Sequence, residues 1–71
     1  MASKISFGRH VKNARLDRGL SIADVAGRVG VSVGCIYLWE ADRTRPRDEN
    51  LVALCKALKL SVAATREMAA A

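Results

Sequence analysis

Apolar residues recur at helical spacing in five stretches of this chain, each bracketed by residues that start or stop helices. Between Ser6 and Arg18, the residues Phe7, Val11 and Ala14 share one face at the i, i+4, i+7 spacing. Gly19 follows where a left-handed residue would end the helix. Ser21 offers its hydroxyl to the free amides of a second helix, and Asp24, three residues on, makes a weak capping box. That helix turns Val25, Ala26 and Val29 inward and stops at Gly30. Ser32 caps a third helix, in which Ile36 and Trp39 lie about one turn apart and face the core. The segment ADRTRPRDEN (residues 41–50) begins as a loop, because Pro46 cannot extend a helix and restricts Arg45 before it. A fourth helix spans about residues 48–58, with Asp48 and Glu49 at its positive end and Leu51, Leu54, Cys55 and Leu58 as its apolar face. Ser61 caps a last helix, over about residues 62–70. No alternating run is bounded by hairpin turn residues, so the pattern predicts an all-α bundle.

At 71 residues the chain is read as one domain, residues 1–71, with its core over about residues 6–62. Twelve Lys and Arg against seven Asp and Glu give a net charge of +5. Such a surplus on so small a surface favours a polyanionic partner, nucleic acid first among them. Eight of the twelve cations are arginines, whose planar fork grips phosphate with two parallel hydrogen bonds.

The remaining chemistry is sparse. Cys35 and Cys55 are too few for a disulfide framework, and with His10 as the single histidine they form no metal-ligand cluster, so no metal and no cofactor is expected. Reduced thiols, with charges interrupting every apolar run, point to a cytoplasmic protein without a membrane span. There is no Cys–His pair at short spacing, no glycine-rich phosphate loop and no carboxylate cluster, so an enzyme is not expected. His10 reads as a surface residue close enough to Arg15 for a phosphate contact. Cys35 reads as a small packing residue, with a redox role as the weaker alternative.

Residues 21–40 form helix, glycine turn, capped helix, which is the helix-turn-helix unit. Around it the ordered segments FGRHVKNARLDRGLS (7–21), VAGRVGVS (25–32), IYLWE (36–40), RTRP (43–46) and NLVALCKALKLS (50–61) resemble the phage-repressor and Cro-like helix-turn-helix domains, the xenobiotic-response-element type. The resemblance covers about residues 6–62. It implies a five-helix lambda-repressor-like domain whose third helix enters the major groove of double-stranded DNA. Arg15 and Glu40 match that family's structural ion pair, which bridges the first helix to the end of the third while turning the guanidinium toward a phosphate. Trp39 matches a core position rather than a base-stacking platform.

On this resemblance Ser32, Val33, Gly34, Cys35, Tyr37 and Leu38 are the base-reading positions. Phosphate contacts fall to Arg15, to Ser21 and Ile22 at the N-terminus of the second helix, and to Arg43, Arg45 and Arg47 on the proline-stiffened loop. The sequence departs from the family at the reading face. Ile22 stands where Gln is frequent, and Val33, Gly34, Cys35 and Leu38 replace the usual polar side chains. Two explanations stay open. Val33 and Leu38 read thymine methyl groups while DNA shape supplies the rest. Alternatively Ile22, Val33, Tyr37 and Leu38 form an apolar patch that binds another transcription regulator. A module of this size implies a homodimer on DNA, with Val62, Met68 and the alanines of the last helix as its contact surface. A short regulator from a phage or other mobile element fits the resemblance.

Overall fold

The computed structural model describes residues 5–70, which form five helices: α1 (Phe7–Asp17), α2 (Ile22–Val29), α3 (Val33–Glu40), α4 (Asp48–Leu58) and α5 (Val62–Ala70). Among the described residues there is no strand. Serine hydroxyls accept a free amide of the first turn, three residues on, at four of the five helix starts. Ser6 accepts from Arg9, Ser21 from Asp24, Ser32 from Cys35 and Ser61 from Ala64, at 3.0–3.2 Å. At Ser21 the box is reciprocal, because the Asp24 carboxylate accepts the Ser21 amide at 2.9 Å. The Ser21 amide, and after it the Ser21 hydroxyl, hold the Asp24 carboxyl below its ordinary pKa. α4 has no side-chain cap, and Asp48 and Glu49 in its first turn complement the helix dipole instead.

The core is built from the stripes that the periodicity marks. Phe7 and Val11 of α1, Val25 and Ala26 of α2, Ile36 and Trp39 of α3, and Leu51, Leu54, Cys55 and Leu58 of α4 are buried together. Val29, expected among them, is only half-buried at the end of α2. α2 and α3 bend by 110° across Gly30, Val31 and Ser32. Gly30 makes that bend with φ 85° and ψ 35°, the left-handed conformation that a side chain disfavours, and its amide donates back to the Ala26 carbonyl at 2.8 Å.

α5 closes the bundle against α1 and α4. Thr65 is fully buried, and Val62, Met68 and Ala69 pack half-buried on this chain's own core. The expected dimer contact is therefore partly consumed within the chain, which leaves Ala63, Ala64 and Ala70 exposed. The buried Thr65 hydroxyl lies 3.3 Å from Nε2 of His10. This corrects the reading of His10 as a surface residue with reach to phosphate. It lies five positions before Arg15, which puts the two about 140° apart around α1. His10 faces α5, and Arg15 faces α3.

Candidate nucleic-acid interface

The interface rests on a fork between α1 and α3. Arg15 donates from Nε to Oε2 of Glu40 at 2.8 Å and from Nη2 to Oε1 at 3.1 Å, while its Nη1 donates to the Leu20 carbonyl at 3.0 Å. Both side chains are about nine-tenths buried. The hydrogen bond to Glu40 raises the Arg15 pKa further, so the guanidinium is charged at every accessible pH. The structure thus brings the ion pair together as the family resemblance implies, with a bidentate geometry that fixes angle as well as distance.

A second junction was not legible in the sequence. The N-terminus of α1 abuts the C-terminus of α3 so closely that a Cβ on Gly8 would overlap the Glu40 carbonyl oxygen. It would also lie 2.7 Å from the Glu40 carbonyl carbon and 2.8 Å from the Trp39 carbonyl oxygen. Asp42, just past α3 and with φ 59°, accepts the Gly8 amide at 2.9 Å. The Ser6 hydroxyl and then the Gly8 amide hold its carboxyl below the ordinary range. The only local signal was a glycine inside the first turn of a helix, where it costs about 1 kcal/mol relative to Ala. Asp42 carried none, since its partner lies 34 positions away.

These junctions set α3 with one face inward and one face out. Val33, Tyr37 and Leu38 are 42%, 60% and 45% exposed, so the outward face is apolar and free of charge. Ser32 and Gly34 are exposed beside them, and a Cβ on Gly34 would meet only Ser32 Oγ, at 3.7 Å. Cys35 is half-buried against the core, and Ile22 is likewise half-buried at the start of α2. The expected reading positions thus share the α3 surface unequally, Cys35 least.

The loop arginines separate. Arg43 is tied by its amide to the Leu38 carbonyl at 2.9 Å, and its exposed side chain makes no hydrogen bond or ion pair among the described residues. Arg47 is the N-cap residue of α4 and is similarly exposed. Arg45 turns back. Its Nη1 lies 3.3 Å from Asp42 Oδ1, and its guanidinium carbon sits 5.2 Å over the Phe7 ring. It lines a groove with Ile5, Ala64, Glu67 and Met68, on the α1–α5 side. Arg45 thus packs like a strut on Asp42 and Phe7, contacts that Arg43 does not make.

The helix-turn-helix domain family model matches residues 6–68. Among solved structures, the DNA-binding domain of the P22 c2 repressor in solution has a TM-score of 0.83 at 32% identity, covering 92% of this chain and 86% of that one. The P22 c2 repressor in complex with a synthetic operator gives 0.84 at 34% identity, covering 87% and 94%. The clp gene regulator ClgR from Corynebacterium glutamicum gives 0.78 at 31% identity, covering 90% and 68%. No curated protein sequence matches the chain. The match reaches into every one of the five helices and spans the fork, the bend and the outward face of α3, and the chain belongs to the helix-turn-helix domain family.

Proposed function

We propose that this protein is a sequence-specific transcription regulator of the repressor type that binds double-stranded DNA with α3 in the major groove. The observation that carries the reading is the outward face of α3, which is unobstructed, set at 110° to α2 and locked to α1 by the Arg15–Glu40 fork. The first turn of α3 presents Ser32, Val33 and Gly34, with Leu38 one turn on. Val33 and Leu38 suit thymine methyl groups, and Gly34 lets the backbone approach a base edge. Arg43 and Arg47 reach phosphates on one flank, and the α2 amides behind Ser21 and Ile22, with Arg15, reach them on the other. Arg45 supports this grip by holding the loop. The P22 c2 repressor, similar in fold and at 34% identity, is a repressor that binds an operator.

In this reading the protein acts in the cytoplasm as a homodimer on half-sites about 34 Å apart, with the exposed alanines of α5 and Met68 as the contact. Among the described residues no single helix is long and apolar enough to cross a membrane. The test is selection of a binding site from randomised duplexes, followed by anisotropy titrations of that site and an unrelated duplex across salt. Neutralising about five phosphates gives a slope of log K on log salt near −4.5. Negligible duplex affinity at low salt overturns the reading. The exposure of Val33, Tyr37 and Leu38 then favours the second one, a regulator that binds another regulator through α3, and Leu38→Ala would abolish that complex.

A further inference from the structure

Lys12 and Tyr37 each stand three residues before a member of the fork, Lys12 before Arg15 on α1 and Tyr37 before Glu40 on α3. Residues three apart share a helical face. The contact that joins the two helices therefore also brings these two side chains to a common cleft. It has a volume of about 230 Å³ and is lined by Lys12, Arg15, Ile22, Tyr37, Glu40 and Ala41.

The cleft is rich in uncommitted donors. Both Glu40 oxygens are taken by Arg15, at 2.8 and 3.1 Å. Arg15 in turn commits three N–H groups to Glu40 and Leu20, so two of the five on a guanidinium remain. Lys12 is exposed, Tyr37 is 60% exposed, and neither side chain makes a hydrogen bond among the described residues. Ile22 adds the start of α2, where the first intrahelical bond runs from the Val25 amide to the Ser21 carbonyl. An ammonium, a phenol O–H and spare guanidinium donors, with no free carboxylate beside them, suit a singly charged oxyanion with two exposed oxygens. A phosphodiester is such a group. Tyr37 lines this cleft beside the fork, whereas Val33 and Leu38, the proposed base contacts, do not line it.

We propose that Lys12 and Tyr37 clamp one DNA backbone phosphate over the Arg15–Glu40 fork, so that Tyr37 is a phosphate contact that sets the docking of α3 and not a base reader. The inference rests on the DNA-binding reading and assigns one contact within it. It is tested with the full chain, a duplex selected from a randomised pool, an unrelated duplex, and versions of the selected duplex carrying one neutral methylphosphonate at each position in turn. Tyr37→Phe weakens binding to both duplexes by the same factor, about tenfold, and leaves the salt slope unchanged. Lys12→Ala weakens both equally and makes the slope shallower by about 0.9. A single methylphosphonate position removes the effect of both variants, and melting temperatures stay at the parent value because both side chains are exposed. The proposal is overturned if Tyr37→Phe changes the ranking of base substitutions in the site. It fails equally if the two variants map to different phosphates, or if neither alters affinity while the parent binds. A parent that binds no duplex at low salt sinks the DNA-binding reading, and this contact with it.

Discussion

Adding one methyl group to Gly8 tests whether the close approach of α1 to α3 is a structural requirement. The new Cβ meets backbone atoms of Trp39 and Glu40, two of them at 2.7 and 2.8 Å, where relaxed C···O contacts begin near 3.3 Å. Those atoms belong to the last turn of α3 and cannot rotate away, so the helices must separate by roughly an ångström. Overpacking of this kind costs about 1–3 kcal/mol. Separation also weakens the bond from the Gly8 amide to Asp42, adding about 1 kcal/mol at this partly exposed site. Ala restores about 1 kcal/mol of helix propensity. The net loss is about 2 kcal/mol, against a total stability of about 4–10 kcal/mol for a chain of this length.

Gly27→Ala supplies the control. Gly27 is also helical, but nothing lies within 4 Å of the added Cβ, so the same substitution should stabilise by about 0.5–1 kcal/mol. Urea denaturation with unchanged m reads both changes, and thermal melts should shift by about −8 to −16 °C for Gly8→Ala and upward for Gly27→Ala. If Gly8→Ala is as stable as the parent, or gains as Gly27→Ala does, the junction is not tight and the argument from it fails.

Other substitutions separate the roles of the charged residues. Arg15→Ala leaves Glu40 buried without a partner and should destabilise by about 3–5 kcal/mol, enough to unfold much of the population, while Arg15→Met with Glu40→Leu recovers most of that loss in the same denaturation assay. Equal melts for the single and double variants would refute an uncompensated charge as the cause. Arg43→Ala should make the salt slope of duplex binding shallower by about 0.9 at unchanged stability, whereas Arg45→Ala should lower the melting temperature and change the slope less. A larger slope change for Arg45→Ala would contradict the strut. Asp42 and Asp24 have folded pKa values below their unfolded ones, so their contribution to stability is complete above about pH 4 and is lost as pH falls through the folded values. Stability followed by circular dichroism should therefore fall on the acid side, and Asp42→Asn should flatten that limb.

The five helices were legible because their signals are local. A serine caps a helix through an amide two or three residues away, and an apolar stripe repeats within two turns, so each signal lies inside one short window of sequence. The Arg15–Glu40 fork was reached only through a family resemblance, since its members lie 25 positions apart and nothing between them specifies it. What escaped depends on where helices meet. Gly8 is needed by the carbonyls at the end of α3, Asp42 caps a helix that starts far earlier in the chain, and His10 finds its partner on α5. Arg45 shows the limit most plainly. Three arginines at alternate positions look equivalent in sequence, and only the position of the Phe7 ring distinguishes the one that folds inward.

The neutral face of α3 has a consequence for how a single copy can discriminate. A bidentate side-chain contact to a base separates right from wrong by about 1–3 kcal/mol, and the exposed face offers no side chain that could make one. A methyl–methyl contact removes one CH₂ equivalent from water, about 0.8 kcal/mol. Two such contacts, at Val33 and Leu38, amount to little more than tenfold selectivity, whereas the flanking cations act on any duplex alike. Rigidity is what makes so weak a signal usable. A contact of this size is lost when a side chain moves by an ångström, because dispersion falls steeply with separation. The fork, the Gly8 junction and the Asp42 cap anchor the C-terminal end of α3, and Ile36 and Trp39 pack its inner face into the core, so in the proposed reading Val33 and Leu38 meet the groove at a fixed depth. Doubling the module then multiplies the ratio, and two copies bring about tenfold to about a hundredfold. A face without a bidentate hydrogen-bonding side chain thus requires both a stiff mount and a second copy if it is to select an operator.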